Sequence, residues 1–208
     1  MNPWWVSAIA AIVYGCVGFL SIQLSAAVCK NVVPFDDGPA PGRPPVVALV
    51  VGAGLVGLSL AMRGAQAPEL IIVGALLVPL VACWYSDVRC GIVPDYFTLI
   101  PLGLWLVGSF LAFHNTTSIV GALVMFVPFA VFAMISKGRG MGWGDVKLAA
   151  LAGAVLGPPA AMLAIAGACL VAVFIAAVRK RRSEPIAFAP YLCGAIAASL
   201  ALPIFPAA

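Results

Sequence analysis

The stretch SIVGALVMFVPFAVFAMI, residues 118–135, decides the fold class because it is apolar apart from Ser118 and carries no charged side chain. A helix needs roughly 17 to 25 mostly apolar residues to cross the hydrocarbon core of a bilayer. Similar runs recur along the chain, separated by short breaks that contain Gly, Pro and charged residues. The runs are continuous rather than alternating, which excludes a transmembrane β-barrel. The pattern predicts an all-α polytopic integral membrane protein.

The composition agrees with this class. Hydrophobic residues make up 64% of the 208 residues, and charged residues make up 9%. One soluble core could not bury so much apolar surface, so the lipid bilayer is expected to be the main solvent. The net charge is +4, but the basic residues lie in short clusters between apolar runs, without a basic stripe interleaved with aromatic residues. Nucleic acid is therefore not expected as a partner.

About eight transmembrane helices are predicted, of which the sixth is short. Gly157-Pro158-Pro159 separates the sixth from the seventh and favours a tight reversal, with one long kinked helix as the alternative. The whole chain, residues 1–208, is expected to form a single membrane-embedded domain. The predicted spans are residues 4–28, 46–62, 70–85, 96–113, 118–135, 146–156, 160–178 and 188–205.

The basic residues predict the orientation. The clusters at residues 137–147 and 179–182 flank the sixth and seventh spans, and both favour the cytoplasm, so two crossings are needed between them. The resulting topology is N-out and C-out, with a short cytoplasmic loop at residues 29–45. Of the 11 Lys and Arg residues, all but Arg63 then face the cytoplasm. No cleavable signal peptide is predicted, because residues 1–6 lack Lys and Arg.

Two acidic residues lie at predicted span ends inside distinctive segments. A carboxylate near hydrocarbon is costly unless it is hydrated, paired or neutralised. Asp87 follows the third span in the segment SDVRCGIVPD, and Asp145 precedes the sixth span in GMGWGDVKL. Gly142 and Gly144 remove side chains beside Asp145, so another backbone could approach closely in an extended form. A site that cuts peptides requires such access.

Paired carboxylates have a specific chemical use. Two that are held close cannot both ionise easily, so they share a proton near neutral pH. One can then take a proton from an attacking water, and the other can donate a proton to the oxygen of the scissile carbonyl. Asp145 is also expected to cap the sixth helix, whose positive end favours its ionised form. This favours Asp87 as the proton carrier, although a coupled pair has no unique assignment of the proton.

The same residues have simpler structural explanations. Asp145 alone could be an ordinary helix N-cap, and Asp87 could pair with Arg89 at the membrane interface. Asp95 is expected to cap the fourth span rather than to catalyse. Lys147 is favoured as a determinant of topology over a substrate ligand.

The distribution of Cys and His argues against a metal site. None of the six cysteines shows CxxC spacing, and His114 is the one histidine. No metal site and no cofactor are therefore predicted. The cysteines are expected to pack as small apolar residues inside helices.

Three segments together resemble the type IV prepilin peptidases, bacterial members of the GxGD intramembrane aspartyl proteases. Residues 87–95 resemble the first aspartate motif of that family, with Arg89 as its basic residue and Pro94 in its aliphatic-Pro-Asn/Asp ending. Residues 142–148 match the GxGD motif, including the following Lys147 and a leucine.

The third segment precedes the last predicted span. Residues 186–195 resemble the Pro-Phe-Gly-Pro segment of the family, although this chain reads Ala187-Phe188-Ala189-Pro190 there. The resemblance covers residues 70–205 and implies a peptidase core in that range. By the same likeness, the catalytic aspartates are Asp87 and Asp145.

The resemblance implies a substrate and a location. The substrates would be prepilins or pseudopilins, cut at the cytoplasmic face of the bacterial inner membrane between a short basic leader and an apolar helix. Many family members carry paired CxxC motifs, associated with methylation of the new N-terminus, in a longer loop after the first span. The loop at residues 29–45 has one cysteine, so methylation is not predicted.

Two other classes of function remain open at this point. A proton- or cation-coupled transporter or channel would use acidic residues as ion sites, and it would predict symmetry between halves and acids near the bilayer midplane. No internal repeat is visible, and the acids cluster towards one face. A non-catalytic assembly protein is the third option.

Overall fold

Eight α-helices and one short 3-10 turn contain most of the residues that this computed structural model describes. The structure describes residues 4–32, 45–114, 116–136, 141–178 and 187–202, and no strand occurs within them. The predicted all-α class is confirmed. The elements are α1 (Trp4–Val32), α2 (Val46–Met62), α3 (Ala67–Cys90), a 3-10 turn (Asp95–Phe97), α4 (Leu99–Phe113), α5 (Thr117–Ile135), α6 (Trp143–Leu156), α7 (Pro158–Val178) and α8 (Ala189–Ala201).

Length and composition make this a multi-pass membrane protein. Among the described residues, five helical stretches are long and apolar enough to cross a membrane: α1, α3, α4 with the turn before it, α5 and α7. Their outer surfaces are apolar, as at Leu104 and Phe174, and lipid solvates such surfaces. Helices α2 and α8 are apolar but shorter. The crossing of all eight helices and the N-out orientation stay predictions, and most of the basic clusters at residues 137–147 and 179–182 lie outside the described residues.

Helix α6 lies at the centre of the bundle. It packs against α4, α5, α7 and α8, and its residues 148–154 are all buried. A helix that is apolar on every side is a core helix. Its 14 residues span about 21 Å at about 1.5 Å per residue, less than the roughly 30 Å hydrocarbon core. Protein rather than lipid therefore surrounds most of α6.

Close contacts hold α6 against its neighbours. Gly121 of α5 and Gly153 of α6 lie so close that a Cβ atom on either residue would collide with the backbone of the other. Small residues at such crossings let transmembrane backbones approach. Trp105 of α4 donates from Nε1 to the carbonyl of Ala154 at 2.8 Å. These contacts position α6 between α4 and α5.

The sequence Gly157-Pro158-Pro159 separates two helices, as predicted. Gly157 has φ 76°, in the region that favours glycine, and α7 begins at the next residue. Ala161 and Ile165 of α7 pack in the same core as Leu148 and Leu151 of α6, so α7 folds back on α6. The alternative of one long kinked helix is wrong.

Hydroxyl groups on α1 join this helix to α3. Tyr14 donates from its hydroxyl to the Leu70 carbonyl at 2.5 Å, which links α1 to α3. Ser25 of α1 donates to the Ala82 carbonyl of α3 at 2.9 Å. Such bonds satisfy polar groups that would be costly in an apolar interior. The loop predicted at residues 29–45 lies largely outside the described residues.

Candidate active site

Three helix ends meet at one place in the bundle. Asp87 lies in the last turn of α3, Asp145 lies in the first turn of α6, and Ala189 begins α8. The Ala189 backbone N–H donates to Asp87 Oδ2 at 3.2 Å. The charge of Asp145 acts on the carboxyl group of Asp87, so the two groups are close enough to interact electrostatically. The structure thus brings together the three segments that the sequence singled out.

Asp87 belongs to α3 and does not follow it. The helix continues to Cys90 rather than ending at Tyr85, because nothing in the intervening residues breaks a helix. Gly91, with φ 64°, closes it and donates from its N–H to the Asp87 carbonyl at 2.9 Å. The negative end of α3 disfavours a carboxylate at Asp87. The N–H group at the positive end of α8 offsets this effect.

Asp145 is not the N-cap of α6, and that prediction is wrong. The helix begins at Trp143, so Gly142 is the N-cap and Asp145 is the third helical residue. The Asp145 carboxylate reaches back to the backbone N–H of Gly142, as the third residue of a capping box does. The positive end of α6 therefore faces this carboxylate. Asp145 and Asp87 are both half-buried.

The two glycines of the GxGD motif have different surroundings. A Cβ atom added at Gly144 would lie 2.7 Å from the Cβ atom of Val93, a separation that real side chains do not adopt. A Cβ atom at Gly142 would meet nothing closer than Asp145 Oδ2 at 3.6 Å, and Gly142 is exposed. The space expected beside Gly144 for an incoming backbone is therefore filled by Val93 of the same chain.

Asp95 and Lys147 form an ion pair that the sequence did not predict. Lys147 Nζ lies 2.5 Å from Asp95 Oδ1, and the two side chains are 23% and 60% exposed. Asp95 begins the 3-10 turn after the buried Pro94, and Thr98 is the N-cap of α4. The prediction that Asp95 caps the fourth span is therefore wrong. The opposite charges of Asp95 and Lys147 in the two motif segments were the sequence signal that could have predicted this ion pair.

Arg89 contacts Tyr85, the residue one helical turn before it. Its Nη1 donates to the Tyr85 hydroxyl at 3.3 Å, and its guanidinium lies 5.9 Å from the centre of the tyrosine ring. Within the described residues, the ion pairs join Lys147 to Asp95 and Arg63 to Glu69. The Asp87–Arg89 pair considered from the sequence is not among them.

Two buried cysteines lie beneath the carboxyl groups. Cys83 lies one turn before Asp87 in α3, and Cys193 lies one turn after Ala189 in α8. Both are buried, and the charges of Asp87 and Asp145 both act on Cys193. The apolar surroundings that Cys83 and Cys193 provide strengthen the electrostatic interaction between the two carboxyl groups. Among the described residues, no group of three or more His, Cys, Asp or Glu side chains could hold a metal ion.

The fold and the site define a multi-pass membrane protein with two interacting carboxyl groups at one end of a helical bundle. The model of the type IV leader peptidase family matches residues 72–177, from α3 to the end of α7. The chain therefore belongs to the type IV leader peptidase family, and the resemblance predicted from the motifs is confirmed. Helix α8 and residues 187–190 lie outside the matched range.

Two relatives illustrate the extent of the similarity. The prepilin leader peptidase/N-methyltransferase of Aeromonas hydrophila is 34% identical over an alignment of 181 residues that covers 80% of this chain and 60% of the relative. The protein of the same name from Burkholderia pseudomallei (strain 1026b) is 34% identical over an alignment of 175 residues that covers 78% of this chain and 55% of the relative. The chain thus spans little more than half the length of these relatives. No solved structure matches it.

Proposed function

We propose that this protein is an intramembrane aspartic endopeptidase of the GxGD type that removes the leader from type IV prepilins or pseudopilins at the cytoplasmic face of the bacterial inner membrane. Family membership supports a peptidase, and the names of the relatives support the substrate class. The observation that carries the aspartic mechanism is the electrostatic interaction between Asp87 and Asp145, which come from different helices.

The two carboxyl groups have the chemistry that hydrolysis needs. In the proposed mechanism they share one proton, because two carboxylates held close cannot both ionise easily. Asp145, facing the positive end of α6, takes a proton from water as the water oxygen attacks the scissile carbonyl carbon. Asp87 donates its proton to the carbonyl oxygen. The intermediate then collapses: the C–N bond breaks, the amine takes the proton from Asp145, and a hydroxyl proton returns to Asp87.

The position of the site suits a bond at a membrane surface. Asp87 and Asp145 lie at helix ends, in the company of the charged residues Arg89, Asp95 and Lys147. Water reaches such a layer, whereas it is scarce at the level of buried residues such as Cys83. A substrate with a basic leader and an apolar helix places its junction at this level.

Cleavage without methylation is the activity we propose. The names of the relatives combine leader peptidase with N-methyltransferase. The segment at residues 29–45 contains one cysteine and no CxxC motif.

Family membership does not support the alternative of a transporter or channel.

The full chain, purified and reconstituted in lipid vesicles, should convert a prepilin to the shortened pilin, with mass spectrometry locating the new N-terminus. The A. hydrophila relative serves as the positive control on the same substrate. A variant with both Asp87→Asn and Asp145→Asn is the negative control. A methyl donor included in the reaction should add no methyl mass to the product. Failure of the folded chain to cut a prepilin that the relative cuts would overturn the proposal.

A further inference from the structure

The chain between α3 and α4 leaves the helix that carries Asp87 and packs against the helix that carries Asp145. We call residues 91–98 the connecting segment. It leaves α3 at Gly91, where the left-handed backbone turns the chain. Val93 then packs against Gly144, and Asp95 forms its ion pair with Lys147. Phe97 returns to the core beside α3, where its carbonyl accepts a hydrogen bond from Cys83 Sγ at 3.7 Å.

The packing of the helices makes this segment important for the distance between the two carboxyl groups. Helices α3 and α6 each pack against α8, and direct packing between α3 and α6 is sparse in the described part of the chain. The position of Asp87 relative to Asp145 is therefore set by α8 and by the connecting segment. The segment touches α6 directly beside Asp145, at Gly144 and at Lys147.

We infer that Asp95 and Lys147 are positioning residues, whose ion pair fastens the connecting segment to α6 and thereby sets the separation of Asp87 and Asp145. This inference rests on the proposed function. Neither residue touches the reacting atoms in the proposed mechanism. The pair acts through the backbone, since Lys147 lies two residues after Asp145 and Asp95 follows the turn that ends the helix of Asp87.

The solvent exposure of Asp95 distinguishes a positioning role from a role in folding stability. Asp95 is 60% exposed, and exposed ion pairs contribute little to folding stability. Reaction rates are more sensitive to geometry, because a displacement of about 1 Å in a reacting group can cost about a hundredfold in rate. Loss of the ion pair should therefore lower kcat strongly while it changes thermal stability little.

Charge reversal and charge exchange test the inference. Asp95→Lys and Lys147→Asp should each lower kcat for prepilin cleavage by about tenfold, because like charges then face each other at the junction. KM should change little, since the pair does not contact the substrate. The double variant, with the charges exchanged, should recover kcat to within about threefold of wild type. Direct contact of either side chain with the substrate or the reacting atoms predicts no such recovery, and a role in folding stability alone predicts that thermal stability falls together with kcat.

The other ion pair supplies a matched control. Arg63 and Glu69 join the C-terminal end of α2 to the first turn of α3, and they are also partly exposed. They lie at the opposite end of α3 from Asp87. Arg63→Glu and Glu69→Arg should leave kcat unchanged, which excludes a general effect of charge reversal on the membrane protein.

Hydrogen exchange gives a readout that does not need activity. Amides of the connecting segment should exchange faster in each single reversal of Asp95 or Lys147, and at the wild-type rate when the charges are exchanged. If the wild type is active and each single reversal keeps normal kcat and normal exchange, the inference is wrong and the proposed function stands. An inactive wild type whose exchange responds as expected would instead overturn the proposed function and leave the role of the pair standing.

Discussion

Asp87 and Asp145 occupy opposite ends of their helices, and this gives two like residues unlike surroundings. Asp145 faces the positive end of its own helix and bonds to the Gly142 N–H. Asp87 lies at the negative end of α3 and accepts its hydrogen bond from Ala189, at the positive end of another helix. Different surroundings suit two carboxylates to different roles in acid–base chemistry. In the proposed mechanism, this difference makes Asp145 the base and Asp87 the proton donor.

The contrast also explains the third segment. Residues 187–190 differ from the family motif in side chains, yet the contact to Asp87 is made by a backbone N–H. A backbone donor is supplied by any residue except proline. Ala189 can therefore replace glycine at this position without loss of the hydrogen bond.

Removing either carboxyl group should have the largest effect on cleavage and tests the comparison of the two aspartates most directly. We expect Asp87→Asn and Asp145→Asn each to lower cleavage to below about one thousandth of wild type, because a shared-proton site needs both members. Expression and insertion should remain normal, since asparagine is nearly isosteric and can still accept a hydrogen bond from a backbone N–H. The measurement is the initial rate of prepilin cleavage at matched protein levels.

The double variant and one single variant decide between explanations. Because the two groups act as a unit, the double variant should be no worse than either single variant. An Asp87→Asn variant that cleaves at a rate near wild type would contradict the dyad assignment. Asp95 would then become the next candidate.

Filling the space beside Asp145 should have the next largest effect. Gly144→Ala places a Cβ atom against Val93, and overpacking of this kind typically costs about 1–3 kcal/mol. We expect at least about a tenfold loss of cleavage, because the N-terminal end of α6 must shift. Gly142→Ala, where the space is open, should lose no more than about threefold. Cleavage rates of the two variants give the comparison.

A compensating change sharpens this test. Val93→Gly in the Gly144→Ala background removes the Cβ atom that the alanine meets, so cleavage should partly recover. Equal loss in Gly142→Ala and Gly144→Ala would show that the contact with Val93 is not the cause.

Neutralising Asp95 should have a small effect. Asp95→Asn keeps an oxygen that can accept from Lys147, while it removes a charge from an exposed pair worth about 0–1 kcal/mol. We expect at least about one third of wild-type cleavage, measured as kcat. Inactivity of this variant at normal expression would place Asp95 in the chemistry and weaken the contrast between Asp87 and Asp145.

Metal removal should have no effect. In the proposed mechanism the two carboxyl groups activate water without a metal ion. Cleavage by the purified chain should therefore be unchanged after incubation with a strong chelator and buffer exchange, as measured by product formation. Loss of cleavage that added zinc restores would refute this mechanism.

The local sequence predicts helix existence better than helix ends. Helices α2 and α5 lie within one residue of their predicted spans, because each apolar run ends at a charged or polar break. Helix α3 runs past Tyr85 because a helix does not need apolar residues once it leaves the hydrocarbon, and it stops only at Gly91. Helix α6 begins before its apolar run, at Trp143, because Gly142 can serve as the N-cap.

The sequence by itself determined the class of protein and the two aspartates as candidates. Composition alone shows whether a run of residues favours lipid or water, and how few charged residues the chain contains. The contacts of the site were decided by the tertiary structure. Ala189 meets Asp87 across 102 positions of sequence, and Lys147 meets Asp95 across 52. Such pairs depend on how the helices pack side by side, and in lipid that packing follows shape and close approach rather than a periodic apolar pattern. Hydropathy therefore identifies the helices, and only their packing shows which helix ends meet.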